Sequence, residues 1–270
     1  MLDKQNIKLV FSDMDGTLLD RDGCLPPAFT DTYKNLKLHG IVFIPASGRQ
    51  LATLEKVFGE FAHEMSFVAE NGNMVVHKGE IVSATAMDWD LVQRVQALIR
   101  DLTMSGRDIG LIVCGHKSAY THRTDQRFLQ QAAKYYEKLT AIPDMSLIND
   151  SVLKLAIFDF DSATEIYGKF EHLKPEAAVV PSSENWIDIM DLTVNKGTAV
   201  RALQQMLGVD RAQTIGFGDY LNDYEMLQEC EQSFAMDNAH PLIKEIAKFG
   251  APSNGEAGVI KVLNKILASE

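Results

Sequence analysis

Apolar residues in this chain follow two rhythms that alternate. Compact apolar runs at Ile7 to Ser12, Ile41 to Ala46, Ser66 to Ala69 and Thr214 to Gly218 read as buried strands. Between the first of them, apolar positions recur at helical spacing. One such stretch runs from about Pro27 to His39 and ends at Gly40, a left-handed cap. Another runs from about Gln50 to Phe61. Asn71-Gly72 marks a turn, and Met74 to His77 and Ile81 to Ser83 flank Lys78-Gly79-Glu80 as a hairpin. Alternating strands and helices imply a parallel, doubly wound sheet.

The rhythm changes near residue 85. The pattern predicts a helix over Leu91 to Met104, a strand over Ile109 to Val113, and a helix from about Asp125 to Leu139. Leu153 to Phe160 alternates as a strand, Thr164 to Leu173 reads as a helix, and Val179-Val180 and Trp186 to Met190 read as strands. The first pattern then resumes. Asn195-Lys196-Gly197 opens a helix through Leu207, Tyr224 to Gln228 is a short helix, and Phe234 to Met236 a strand. Helices over Pro241 to Lys248 and Ala257 to Leu267 complete the chain. The expected fold is α/β: a doubly wound parallel-sheet (Rossmann-like) core of residues 1–84 and 190–270, with an inserted α/β domain over 85–189. No Pro/Gly/Ser-rich linker marks the joins, and there is no internal repeat.

Composition narrows the function only a little. The 270 residues suffice for a large core and one or two domains. Lys and Arg number 26 against 37 acids, a net charge of −11, which argues against nonspecific nucleic-acid binding. Cys24, Cys114 and Cys230 form neither a disulfide framework nor a zinc pattern and read as buried free thiols. The seven histidines are scattered, and neither H-E-x-x-H nor a P-loop occurs. Met1 to Lys8 carries charge and no apolar leader, and no apolar stretch reaches membrane length, so a cytoplasmic location is expected.

The chemistry concentrates where strands end. Val10 to Thr17 reads V-F-S-D-M-D-G-T, two carboxylates at a strand's end with Gly-Thr behind them. Ligands bind at the carboxyl edge of a parallel sheet. There Asp13 can attack an electrophile covalently, while Asp15 can donate a proton to a leaving group and later take one from water. Thr17 is placed to orient Asp15. Ile41 to Arg49 is a second strand ending on a hydroxyl, Ser47, whose alternative reading is a helix N-cap. Lys196 supplies a cation. Ile215 to Asp223 ends in G-D-Y-L-N-D, adding Asp219, Asn222 and Asp223. Carboxylates crowded in this way repel one another, and a divalent cation relieves that. Mg²⁺ is the hard, oxygen-preferring choice. Phe158 to Asp161 repeats the D-x-D spacing without Gly-Thr and reads as a strand running into a helix N-cap at Asp161 or Ser162.

With these four motifs in this order, the chain resembles the haloacid dehalogenase-like phosphohydrolases, and within them the Cof-type branch, whose cap lies between the second and third motifs. Ser66 to Gly72 and Ser233 to Ala239 are similar to that branch, and Val113 to Tyr120 resembles a cap stretch of bacterial sugar phosphatases. The resemblance implies an aspartyl-phosphate on Asp13 and a Mg²⁺ held by the Asp13 side chain, the Asp15 backbone carbonyl and Asp219. Asp223 would act through water or from behind. Ser47 and the Gly48 amide would receive phosphoryl oxygens, Lys196 would neutralise phosphate and nucleophile, and Asn222 would bond substrate or orient a ligand. Arg49 reads equally as a phosphate contact or a structural ion pair. Tyr220 is bulkier than the residue common there. The cap is expected to choose the substrate through the turn Cys114 to Tyr120, with Lys117 and Tyr120 as contacts; an ordinary hairpin turn is the alternative. The expected function is a Mg²⁺-dependent phosphatase of small phosphorylated metabolites, with sugar phosphates as the expected substrates; no nucleic acid and no membrane are expected as partners, and the chain is expected to be a monomer or weak homo-oligomer. A phosphotransferase or mutase on the same scaffold, a phospho-accepting signalling module and an inactive relative are the rival readings. Asp15 counts against the signalling module.

Overall fold

A computed structural model describes residues 6–268; Met1 to Gln5, within the stretch read as free of a leader, lie outside them. The first part of the chain forms β1 (Leu9–Ser12), α1 (Phe29–Leu38), β2 (Val42–Pro45), α2 (Leu51–Phe58), β3 (Ser66–Ala69), β4 (Met74–His77) and β5 (Glu80–Ala84). The middle forms α3 (Trp89–Met104), β6 (Ile109–Gly115), β7 (Ala119–Thr121), α4 (Gln126–Ala132) and β8 (Leu139–Ala141). It continues with β9 (Val152–Asp159), α5 (Ala163–Ile166), β10 (Ala177–Pro181) and β11 (Trp186–Asp191). The last part forms α6 (Lys196–Leu207), β12 (Thr214–Gly218), α7 (Tyr224–Gln228), β13 (Gln232–Met236), α8 (Pro241–Ile246), β14 (Phe249–Ala251) and α9 (Gly258–Ala268).

The core sheet runs β14-β13-β12-β1-β2, and every neighbouring pair in it is parallel. All four residues of β1 are buried, as a strand flanked on both edges and covered on both faces must be. A parallel bridge from Ala46 to Val68 extends this sheet to β3, which turns into the antiparallel meander β3-β4-β5. Helix α1 buries Phe29, Tyr33 and Leu36, one stripe at helical spacing. Phe29 meets Phe43 and Phe58 with ring centroids 5.5 and 5.4 Å apart, which locks α1 and α2 to β2.

The inserted residues build a separate sheet, β10-β11-β9-β6-β7-β8, antiparallel except where β7 meets β8. This is the cap of the doubly wound fold. Its strands alternate faces. Leu111, Val113, Leu155, Ile157, Ile187 and Ile189 join the apolar cluster under α3 and α5. Ile112, Cys114, Ala156, Phe158 and Trp186 pack instead with Phe128, Ala132 and Tyr136. Lys154 and Asp188 share the parity of that second face, and this decides where they point.

Several expectations change, among them the helix over Thr164 to Leu173, which is α-helical only to Ile166 and continues as a 3-10 stretch. The helix expected over Asp125 to Leu139 stops at Ala132, because Leu139 pairs in parallel with Ala119 and becomes sheet. The helix expected to Phe61 ends at Phe58, where Gly59 takes φ +53° and a 3-10 turn follows. Cys24 is exposed, while Cys114 and Cys230 are buried. Among the described residues, no helix is long and apolar enough to cross a membrane.

Candidate active site

Parallel strands place their ends together. Ser12 is level with Pro45 and Phe217, so the residues that follow, Asp13, Ser47 and Asp219, leave the sheet at one edge. The Asp13 N–H still bonds to Phe217 O at 3.0 Å and the Ala46 N–H to Ser12 O at 2.8 Å, which carries the register one step past the strands. The chain then reverses through Met14 to Leu18. Gly16 sits at φ +81°, and a Cβ there would lie 2.3 Å from an Asp219 oxygen. Only glycine brings the two acidic loops this close.

Lys196 enters from beneath. Asn195 caps α6, accepting from the Thr198 N–H at 2.8 Å while its own N–H donates to Thr198 Oγ1 at 3.1 Å. Gly197 lets α6 approach α7, since a Cβ there would lie 2.7 Å from Glu225 O. The fully buried Lys196 ammonium donates to Asp13 Oδ1 and Asp223 Oδ1, each at 2.6 Å. Asp223 Oδ2 accepts from the Asp219 and Tyr220 N–H groups at 2.9 and 3.2 Å.

Asp13, Asp219 and Asp223 each offer a carboxylate oxygen within 4.8 Å of the others. Three carboxylates facing one ammonium leave two negative charges uncompensated. Burial, then the charge of Asp223, pushes the Asp13 carboxyl well above the usual range against the pull of Lys196. The same two causes push Asp219 up to about 7. Burial works to lower the Lys196 pKa, but Asp13 and Asp223 overcome it and keep the ammonium charged. Removing that ammonium strands two buried carboxylates. Lys196→Met is therefore expected to cost about 3–5 kcal/mol of folding stability, read from urea unfolding; an unchanged midpoint would show that these carboxylates need no cation.

The remaining residues sort by position. Arg49 binds Asp15 through two hydrogen bonds, Nε to Oδ2 at 2.7 Å and Nη2 to Oδ1 at 2.5 Å, which favours the ion-pair reading of Arg49. Thr17 does not reach Asp15: its hydroxyl donates to Asp219 Oδ1 at 2.8 Å, because the reversal at Gly16 turns it toward the last acidic loop. Ser47 is buried beside Asp13, and its Oγ accepts from the Arg49 N–H at 3.1 Å. Asn222 donates to Asn71 Oδ1 at 3.0 Å, and Asn71 donates in turn to Asp188 Oδ2 at 2.5 Å.

A cleft opens over these groups. The core lines it with Asp13, Asp15, Ser47, Gly48, Arg49, Asp219, Tyr220 and Asn222, and the cap with Tyr135, Lys154, Ser182, Ser183, Trp186 and Asp188. Lys117 and Tyr120 are not brought to it. The Lys117 N–H and the Tyr120 hydroxyl both bond Asp150 Oδ2, at 2.8 and 3.1 Å, and this draws their turn against Asp150. Lys117 borders a different depression, with Gln50 and Glu70. Asp159 of the second D-x-D pairs with Arg107 at 2.8 Å within the cap. The sequence reading missed Lys154 and Asp188. Their signal was a charge at an alternating position of an otherwise apolar strand, where an unpaired charge is expensive.

Residues 10–263 match the family model of haloacid dehalogenase-like hydrolases. The chain is 33% identical to the 5-amino-6-(5-phospho-D-ribitylamino)uracil phosphatase YbjI of Escherichia coli K12, over 98% of each chain. It is 25% identical to the HMP-PP phosphatase of Escherichia fergusonii, over 88% of this chain and 86% of that one. In fold it is similar to SMU.1108c of Streptococcus mutans UA159, with TM-score 0.89 at 24% identity over 97% and 100% of the two chains. TM0651 of Thermotoga maritima is also similar, with TM-score 0.80 at 21% identity over 98% of each. The chain belongs to the haloacid dehalogenase-like hydrolases. It is an enzyme, a phosphoric monoester hydrolase, and the signalling-module reading ends there.

Proposed function

We propose that this enzyme is a Mg²⁺-dependent phosphatase of small phosphorylated metabolites, chiefly sugar and sugar-alcohol phosphates, acting through an aspartyl-phosphate. The observation that carries this reading is the buried cluster of Asp13, Asp219 and Asp223 on Lys196, at the floor of a cleft walled by the cap.

A phosphate monoester resists attack because nucleophile and target are both anionic, so the site must align them and neutralise charge. Asp13 attacks phosphorus in line, and the P–O bond to the alcohol breaks as Asp15 gives that oxygen a proton. Asp15 then takes a proton from the water that attacks phosphorus in the Asp13 acyl phosphate; the P–O bond to the carboxylate breaks, which releases phosphate and frees Asp13. Ser47 Oγ and the Gly48 amide receive phosphoryl oxygens, and Lys196 holds the nucleophile's charge from below. The donor set suits a hard divalent ion, which would offset the two surplus negative charges. Asp13, the Asp15 carbonyl and Asp219 would hold it, with Asp223, whose oxygens already serve Lys196 and two amides, acting from behind. When bound, Mg²⁺ supplies charge neutralisation at the phosphoryl oxygens.

Metal should bind against protons. Burial and the Asp223 charge push the Asp219 carboxyl from an ordinary 3.8 up to about 7. The stability this proton gives is fully present below the ordinary value and is lost as pH rises through about 7. Mg²⁺ should therefore raise the melting temperature more at pH 8 than at pH 5.5. Chelator should abolish turnover, Mg²⁺ should restore it, and Ca²⁺ should restore little, its looser coordination suiting the site poorly. Full turnover in protein shown to be metal-free would sink the reading.

The leaving-group end fits hydroxyl-rich alcohols. Asp188, Ser182 and Ser183 offer polar groups, and Trp186 and Tyr135 an aromatic wall. The Escherichia coli relative's name puts its phosphate on a ribityl chain, a sugar alcohol. Asp188→Asn should change kcat/KM ratios among sugar phosphates by about ten-fold. Lys117→Ala, away from the cleft, should leave those ratios alone. If Lys117→Ala moves them and Asp188→Asn does not, selection lies in the turn near Asp150 after all.

A further inference from the structure

Lys154 is a cap residue whose charge ends in the core. It sits in β9, nearly wholly buried. Its ammonium donates to Gly48 O at 2.6 Å and lies 2.9 Å from Glu70 Oε2 and 3.4 Å from Asp188 Oδ1. Burying an ammonium is costly, and here the carboxylates of Asp188 and Glu70 offset that cost. A neutral apolar residue would fill the same strand position without the cost, so what the ammonium touches calls for an explanation.

The Gly48 carbonyl is one end of a planar peptide unit, and the other end is the Arg49 N–H. That N–H donates to Ser47 Oγ at 3.1 Å. Holding the carbonyl fixes the plane, and the plane fixes the N–H. A hydroxyl has two acceptor lone pairs and one proton. With one lone pair committed to Arg49 N–H, the remaining directions of the Ser47 hydroxyl are set, and Ser47 borders the cleft beside Asp13. The core grips the same tripeptide from behind: the Glu70 N–H bonds Arg49 O at 3.0 Å and the Asn71 N–H bonds Ser47 O at 2.9 Å. Lys154 adds a hold from the cap, on the Gly48 carbonyl itself.

We propose that Lys154 is a positioning residue through which the cap sets the Ser47 hydroxyl for the phosphoryl group, acting by way of the Gly48–Arg49 peptide. The proposal rests on the phosphatase reading above.

A double-mutant cycle in the full chain tests it. Glu70→Gln serves as the reference, because its neutral amide leaves Asp188, which still accepts from Asn71 Nδ2, as the one carboxylate facing the vacated position. Lys154→Met, Ser47→Ala and both together are made in that background and assayed with p-nitrophenyl phosphate. The p-nitrophenyl group carries no hydroxyls for the cap to select, so the assay reports on the phosphoryl end. Lys154→Met should lower kcat/KM about ten-fold while Ser47 is present and less than about two-fold once Ser47 is alanine, as for residues acting in one chain of contacts. Equal losses in both backgrounds overturn the proposal. Should Lys154→Met fail to fold, Lys154→Ala is assayed with added propylammonium. Saturable recovery with Ser47 present and none with Ser47→Ala is the expected result; recovery in both or in neither overturns it. A wild-type enzyme that hydrolyses the ester but gives equal losses leaves the phosphatase reading standing. A wild-type enzyme that turns over no phosphate ester fails that reading, and this proposal with it.

Discussion

Asp13→Asn is expected to remove turnover, by a factor on the order of 10⁴ or more, as losing the nucleophile of a covalent mechanism does. The amide is a poor nucleophile and a poor metal ligand. The same change should leave the fold intact and make the metal-free protein more stable. Burial and the neighbouring Asp223 both disfavour an ionised Asp13. A neutral side chain of the same shape removes that penalty, and Lys196 keeps Asp223 as a partner at 2.6 Å. A gain of about 2–4 °C in melting temperature is expected for each kcal/mol relieved. Loss of activity with gain of stability is the mark of a group held in strain for its chemistry. The measurements are steady-state turnover, a melting scan with chelator at pH 8, and labelling by a ³²P-phosphorylated substrate. Label that persists in Asp13→Asn would move the nucleophile to another residue.

The parts of this site carried by contiguous motifs were legible in the sequence; the parts assembled across the cleft were not. Strand β12 and helix α6 lie where the pattern put them because each carries its own boundary signals. Asn195 opens α6 with a capping box, and Gly208 closes it at φ +65°. Likewise an apolar run closed by D-x-D-G-T announces one strand end, the runs before Ser47 and Asp219 announce two more, and parallel pairing of the three strands places Asp13, Ser47 and Asp219 together. Lys154 and Asp188 needed more. Alternation puts each on one face of its strand, but which face meets the core depends on how α3, α5 and the core compete for the two sides of the sheet. Lys117 and Tyr120 failed for a related reason. Their turn is polar and contains glycine, as a binding turn would, yet the Asp150 carboxylate gathers it away from the cleft. Strands β7, β8 and β14 have three residues each, too few to show a period.

Asp15→Asn should fail differently from Asp13→Asn. Arg49 holds the Asp15 carboxylate by two hydrogen bonds at 2.7 and 2.5 Å, and an asparagine oxygen can still accept one of them. The loop from Asp13 to Thr17 should therefore keep its shape, and Mg²⁺ and substrate should still bind. What is lost is proton transfer, worth about 10²–10⁴-fold for each step it serves. Two steps need it: departure of the alcohol and attack by water. An ester of p-nitrophenol relieves the first requirement, since that leaving group departs readily without a proton. It leaves the second untouched, because the attacking water still has to give up a proton. Rapid-quench measurements on Asp15→Asn should then show a burst of p-nitrophenol approaching one equivalent, followed by very slow turnover and a trapped phospho-enzyme. A sugar phosphate, with its poor leaving group, should show neither burst nor turnover. The contrast between the two substrates separates a missing acid from a disrupted site, because disruption would remove the burst as well. Undiminished steady-state turnover by Asp15→Asn would take Asp15 out of the acid and base role.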